Sequence, residues 1–176
     1  MLALSSLFLV GPMGAGKSTL GRMLADLLDK TFVDSDRVIE ERAGADIPWI
    51  FDLEGEPGFR VREIQVIDEL TRQPDLVLAT GGGAVVRPEN RAALAGRGIV
   101  VYLRTSVPTQ LARTSKDRNR PLLQKPDPRQ ILTDLLAARE PHYTAIADLT
   151  VDTDHIHPRA LAEQIVQYYL EHHENA

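Results

Sequence analysis

The chain has 176 residues, enough for one domain with its own core, and its 43% hydrophobic and 26% charged content is that of a soluble globular protein. It has no cysteine, which excludes disulfides, thiolate metal sites and cysteine nucleophiles and fits a cytoplasmic location. A net charge of −5 argues against a general nucleic-acid binder, yet RTSKDRNR (113–120) holds four basic residues and one acid, which points to a small anionic ligand bound locally.

The opening MLALSSLFLVG has no basic residue before its apolar stretch and is far too short to span a bilayer, so LFLV (7–10) reads as a buried first strand. No later stretch is long enough to cross a membrane. GPMGAGKS (11–18) follows, matching G-x-x-x-x-G-K-[ST] between that strand and a helical pattern over Lys17–Leu28. Glycines 11, 14 and 16 let backbone N–H groups wrap phosphate oxygens, and the helix start adds its positive dipole end. Lys17 reaches the β- and γ-phosphates, and the Ser18 hydroxyl can ligate Mg²⁺. The motif in this context predicts a nucleoside triphosphate site.

TFVD (31–34) is the second strand, continuing into Asp34 and Asp36, which lie on one side of an extended segment. Asp34 can hold Mg²⁺ through water. Asp36 can accept a hydrogen bond from a substrate hydroxyl and act as base, or it can cap a helix over Arg37–Ala43. Residues 35–62 are helical but dense in charge and glycine, with Trp49, Ile50 and Phe51 as an apolar knot that packs a small subdomain or lines an acceptor pocket. A helix is expected over Phe59–Arg72. The third strand, LVLAT (76–80), runs into Gly81, Gly82 and Gly83, where a magnesium-supporting acid often stands; that absence turns attention back to Asp34.

Helical patterns over Pro88–Ala95, Val107–Thr114, Pro128–Ala147 and Pro158–His172 alternate with strands GIVVYL (98–103) and DLTVD (148–152). Residues 115–127 are basic and proline-bounded, with little apolar content. His155 and His157 have metal-like spacing but no third ligand nearby, and His172 and His173 read as solvated. Apolar strands each followed by a helix imply a parallel sheet covered on both faces, so we expect five parallel strands in a three-layer α/β sandwich. Arg60 and Arg139, with the charged insertion, point to an acceptor that bears a carboxylate.

GPMGAGKST, FVDSD, GFRVRE, LATGGG, RPLL and R-x-P-x-Y stand here in the order and spacing of the shikimate kinases, and the chain resembles that family from Leu7 to its last helix. The resemblance implies a single P-loop kinase domain (1–176) of the nucleoside monophosphate kinase type, with sheet order 2-3-1-4-5. It implies a substrate-binding insertion (35–62) and a mobile lid (113–127). It assigns ATP to Gly14, Ala15, Gly16, Lys17, Ser18, Thr19, Arg113 and Arg120, with the loop around Thr153–Pro158 near the base, and Mg²⁺ to Ser18 and Asp34. It assigns shikimate to Asp36, Arg60, Arg139 and the backbone of Gly81, Gly82 and Gly83, with Gly82 foremost.

The implied reaction moves the γ-phosphoryl group of ATP to the 3-hydroxyl of shikimate, with Lys17, Asp36 and Arg120 as catalytic residues. Its pathway makes chorismate and the aromatic amino acids, in a cytoplasmic monomer with no nucleic-acid or membrane partner. Glu63 resembles a family glutamate that orients the substrate arginine, or is a solvated helix residue. The family's R-x-P-L-Y carries His142 in place of leucine here, a helix-surface variation. Two other readings remain: a kinase of another hydroxy acid such as gluconate, which Asp36, Arg60 and Arg139 would have to discriminate, and a silent nucleotide sensor, against which Lys17, Asp34, Asp36 and Arg120 argue together.

Overall fold

The computed structural model describes residues 4–115 and 126–173. Strands β1 (Leu7–Val10), β2 (Thr31–Asp34), β3 (Leu76–Ala79), β4 (Ile99–Arg104) and β5 (Leu149–Asp152) form one five-stranded sheet in the order β2-β3-β1-β4-β5. Every pairing is parallel, as the alternation of strands and helices predicts. The register sets Leu7 opposite Val77 on one side and Ile99 on the other.

The strands look uniformly apolar because both faces are covered. Leu7, Leu9, Val77, Val101 and Leu103 face α1 (Lys17–Leu28) and α7 (Pro158–His172), where Leu20, Leu24, Leu161, Ile165 and Tyr169 close the layer. Phe8, Val10, Leu78, Val100 and Tyr102 point the other way, to a cluster with Phe59, Val66 and Ile67 of α3 (Ile47–Leu70), Leu94 of α4 (Pro88–Arg97) and Tyr143 of α6 (Pro128–Ile146). Each buried Leu, Ile or Phe side chain contributes about 1.5–3 kcal/mol through area removed from water. The two clusters together make three layers, as expected. Helix α5 (Val107–Thr114) packs on α6.

The charged stretch after β2 becomes α2 (Ser35–Ala43) and the first half of α3. Helix α3 is longer than the Phe59–Arg72 pattern suggests. It starts at Ile47 and is broken at Gly55, whose φ of 71° no helix accommodates. Pro57 follows the break, in the first turn of the second segment, where its missing N–H costs no intrahelical bond. Across the break Arg62 clasps the Glu54 carboxylate with Nε and Nη2, at 2.8 and 3.0 Å. Inside this subdomain Ile50 is buried and the Phe51 ring lies 5.0 Å from that of Phe59, but Trp49 is 58% exposed, so the apolar knot is only partly core. His157 caps α7 by accepting from the Arg159 N–H, and His155 is exposed.

Strand order reverses around β1, with β3 on one side and β4 on the other. Parallel α/β sheets bind ligands at the carboxyl ends of strands beside such a reversal. The loop after β1 and the loops after β2 and β3 meet there.

Candidate active site

The loop after β1 enters α1 through Gly16, at φ 89° and with no side-chain cap, so the first N–H groups of the helix, which have no intrahelical partners, stay uncapped. A cleft of about 190 Å³ opens on them, lined by Gly14 through Thr19 together with Asp34, Asp36, Thr80, Gly81, Gly82 and Arg113. The Lys17 amino group donates to the carbonyls of Gly11 and Pro12, at 2.5 and 2.8 Å, which holds it at the loop's rim. A second cleft shares Ala15, Gly16, Thr19 and Arg113 with the first and continues to Thr153, Ile156 and Pro158. Its walls are more apolar, while the first cleft is lined mainly by polar groups. Arg113 bridges the two, donating to the Gly14 carbonyl at 3.0 Å and the Thr153 carbonyl at 3.2 Å. Arg120 lies outside the described residues.

The two aspartates divide their work differently from the capping alternative for Asp36. Helix α2 begins at Ser35, and Asp34 is its cap: Oδ1 accepts from the N–H groups of Asp36 and Arg37, at 3.0 and 3.4 Å. Its Oδ2 accepts from the Ser18 hydroxyl at 2.8 Å. Asp36 therefore sits in the first turn with its carboxylate turned into the cleft, against Gly81.

The glycine triplet makes room for the acceptor side chains as much as it offers backbone. A Cβ on Gly81 would stand 2.6 Å from Asp36 Oδ1, and one on Gly83 would run into the Arg60 guanidinium. A Cβ on Gly82 would lie 3.3 Å from Met13 N and 3.6 Å from an Arg139 nitrogen. The Gly81 N–H is already given to the Ser35 hydroxyl, so it is not free for a ligand hydroxyl. Within the triplet, the N–H groups of Gly82 and Gly83 have no acceptor among the described residues. Asn90 and Arg91 of α4 hold the following 3-10 turn, Ala84–Val86, by its carbonyls.

Beside the glycines, α3 and α6 bring Arg60, Glu63 and Arg139 together, at 5%, 0% and 7% exposure. Long cationic side chains stay buried only when paired or when a ligand is to pair them. Arg60 donates to Glu63 at 2.8 Å and to the more exposed Glu56 at 3.3 Å. Burial works to lower the Arg60 pKa, but Glu63 and Glu56 hold it above its ordinary value. Arg139 is pulled below its ordinary value by burial, and the nearby Arg60 pulls the same way. Two guanidiniums share this corner with Glu63 as their one fully buried counter-charge, an arrangement that attracts a second anion. Glu63 is thus not the solvated helix residue that charge spacing on α3 allows.

Burial pushes the Glu63 carboxyl up to about 7, against the opposing pull of Arg60. A carboxyl whose native pKa lies above its unfolded value stabilises the fold at low pH, and that contribution is lost as pH rises through the native value. The melting temperature of the wild type minus that of Glu63→Gln should therefore fall as pH rises from 4.5 to about 7. A difference that grows over this range would mean that Arg60 keeps Glu63 ionised throughout.

Sequence reasoning left one participant without a role. Tyr143, in the REPHY stretch, donates its hydroxyl to the Gly82 carbonyl at 2.5 Å across 61 residues of sequence. No local periodicity signals a contact of that range. His142, next to it, is half-buried on α6. Among the described residues no helix is long and apolar enough to cross a membrane, and no cluster of three or more His, Asp or Glu stands ready as a metal cage.

A family model described as shikimate kinase matches residues 13–170. The shikimate kinase of Psychrobacter arcticus is 58% identical over 164 residues, covering 93% of this chain and 88% of that protein. The Vibrio cholerae shikimate kinase is 58% identical over 167 residues, covering 95% and 96% respectively. Among solved structures, the shikimate kinase from Acinetobacter baumannii in complex with shikimate has a TM-score of 0.93 and 54% identity, covering 97% of this chain and 95% of that one.

Proposed function

The chain belongs to the shikimate kinase family, an ATP-dependent kinase acting on shikimate in aromatic amino acid biosynthesis, and from this premise we propose how its residues divide the work. The observation that carries the division is the meeting of Asp36, Arg60, Glu63 and Arg139 with the glycine triplet beside the phosphate-loop cleft. Arg60 and Arg139 take the shikimate carboxylate by charge-assisted hydrogen bonds. That contact turns the ring so that its 3-hydroxyl faces Asp36, while the free N–H groups of Gly82 and Gly83 meet ring hydroxyls. Glu63 holds Arg60 in place.

On the nucleotide side, Gly14, Ala15, Gly16, Lys17, Ser18 and Thr19 hold the phosphates of ATP. Arg113 stands between the phosphate cleft and the base cleft. Arg120, which lies outside the described residues, joins Lys17 in stabilising charge on the transferred group on the family resemblance; Arg113 and Thr114, which that resemblance counts with a lid, belong to α5. Such transfers depend mainly on positioning and charge stabilisation, and the protein needs little covalent chemistry. Asp36 accepts the proton of the attacking hydroxyl as the new P–O bond forms and ADP leaves.

Magnesium fits the donor set. The Ser18 hydroxyl and the Asp34 carboxylate are hard oxygen groups 2.8 Å apart at the mouth of the cleft. Mg²⁺ is usually held by one or two protein oxygens, with phosphates and water completing its shell. Ser18 and Asp34 would hold it, Asp34 through water, and it would offset charge on the phosphates of ATP. On the same resemblance we place the enzyme in the cytoplasm as a monomer.

Family membership favours this reading over a gluconate kinase or a silent sensor. The deciding experiment is ADP release measured with shikimate, with gluconate and without acceptor. We expect release that depends on shikimate; release unchanged by shikimate defeats the proposal.

A further inference from the structure

Most of the glycine loop is anchored by its own neighbours. The Gly81 N–H goes to Ser35, the Gly81 carbonyl accepts from the Ala84 N–H at 3.0 Å, and the Gly83 carbonyl accepts from the Val86 N–H at 3.1 Å. The peptide between Gly82 and Gly83 is different. With glycine on both sides, its plane can rotate at little steric cost, because neither residue has a Cβ to oppose the turn. Among the described residues, its one bond to the protein is from the Tyr143 hydroxyl to the Gly82 carbonyl.

Tyr143 is well suited to hold it. The side chain is 1% exposed, and its ring stacks on that of Tyr102, with centroids 5.0 Å apart and planes 23° apart. Burial pushes its hydroxyl up to about 12, so it remains a donor throughout the physiological range. The Arg139 guanidinium lies beside the same hydroxyl. One phenol oxygen thus links the anion-binding arginine of α6 to the glycine loop.

We propose that Tyr143 is a positioning residue for the acceptor: its hydroxyl fixes the Gly82–Gly83 peptide and keeps Arg139 in register with it. The peptide is planar and trans, so fixing the carbonyl toward Tyr143 directs the Gly83 N–H the opposite way. That N–H has no acceptor among the described residues and is the donor left for a ligand hydroxyl. The hydroxyl of Tyr143 touches neither ATP nor the transferred group. It acts through Gly83 and Arg139 on the placement of shikimate, and in this it rests on the functional reading above.

The test is Tyr143→Phe in the full chain, with KM for shikimate, KM for ATP, kcat and melting temperature measured together. Phenylalanine keeps the stack on Tyr102 and removes only the oxygen. The shikimate KM should rise by about tenfold, the usual scale for losing one well-placed hydrogen bond. The ATP KM and the melting temperature should stay near wild type. Tyr102→Phe is the control: it removes a hydroxyl 3.5 Å from Glu140 and leaves the Gly82 contact intact, so both KM values should hold. An unchanged shikimate KM in Tyr143→Phe overturns the inference. So does a parallel rise in both KM values with a lowered melting temperature, which would make Tyr143 a packing residue. Wild-type protein without shikimate-dependent ADP release would sink the functional reading itself; normal wild-type turnover with an indifferent Tyr143→Phe sinks the positioning role alone.

Discussion

Replacing Arg139 with alanine is expected to raise the KM for shikimate by about a hundredfold or more while the KM for ATP changes little. The size follows from the burial of the guanidinium, at 7% exposure. Removing one partner of a buried, hydrogen-bonded charge pair costs about 2–5 kcal/mol, and each 1.4 kcal/mol is about tenfold in affinity. The arginine is already held below its ordinary pKa by burial and by Arg60, so its charge is kept at a cost that an anion bound beside it would offset. Arg60 can make up only part of the loss, because its Nη1 and Nη2 already donate to Glu63 and Glu56. Steady-state kinetics with each substrate varied in turn decides the matter. A similar rise in both KM values, with a lower melting temperature, would assign Arg139 to the packing of α6.

Asp36→Asn is expected to lower kcat by about two to three orders of magnitude, the range in which a positioned general base contributes. Asparagine can still accept a hydrogen bond from the substrate hydroxyl, so the shikimate KM should move much less than kcat. The structure makes this substitution cleaner than the sequence suggests. Asp34, not Asp36, carries the cap of α2, so the change leaves that cap in place. The carboxylate is fitted against Gly81 with no space to spare, and asparagine has the same shape. Retention of kcat within about tenfold, beside a raised KM, would reduce Asp36 to an orienting role, since a base is worth more than that.

These two residues also show what a linear reading can and cannot reach. Arg139 and Asp36 were both visible as candidates, because a phosphate loop, an aspartate pair and isolated arginines are local patterns. Their environment was not visible. The side on which Asp36 falls depends on where α2 starts, and a shift of two residues in that boundary moves the cap from Asp36 to Asp34 and turns the Asp36 carboxylate into the cleft. Glu63 is a sharper case. Helix α3 is rich in charge over its whole length, and nothing in its spacing separates an exposed glutamate from one at 0% exposure between two arginines.

The sheet, its strand positions, the phosphate loop and the helices that start at proline were legible from residue order alone. Each leaves a local mark in the sequence: short continuous apolar runs for strands covered on both faces, glycine and lysine at a helix start, and proline, which lacks an N–H, in a helix's first turn. The glycine triplet shows the limit of that kind of evidence. Residue order marks it as a place where backbone is bare, but its neighbours are Asp36, Arg60 and Arg139, which come from α2, α3 and α6. Tyr143 reaches Gly82 from 61 positions away. Long-range packing decides which side chains fill the space left by missing Cβ atoms, and it is there that an anion pocket is built beside the phosphate loop.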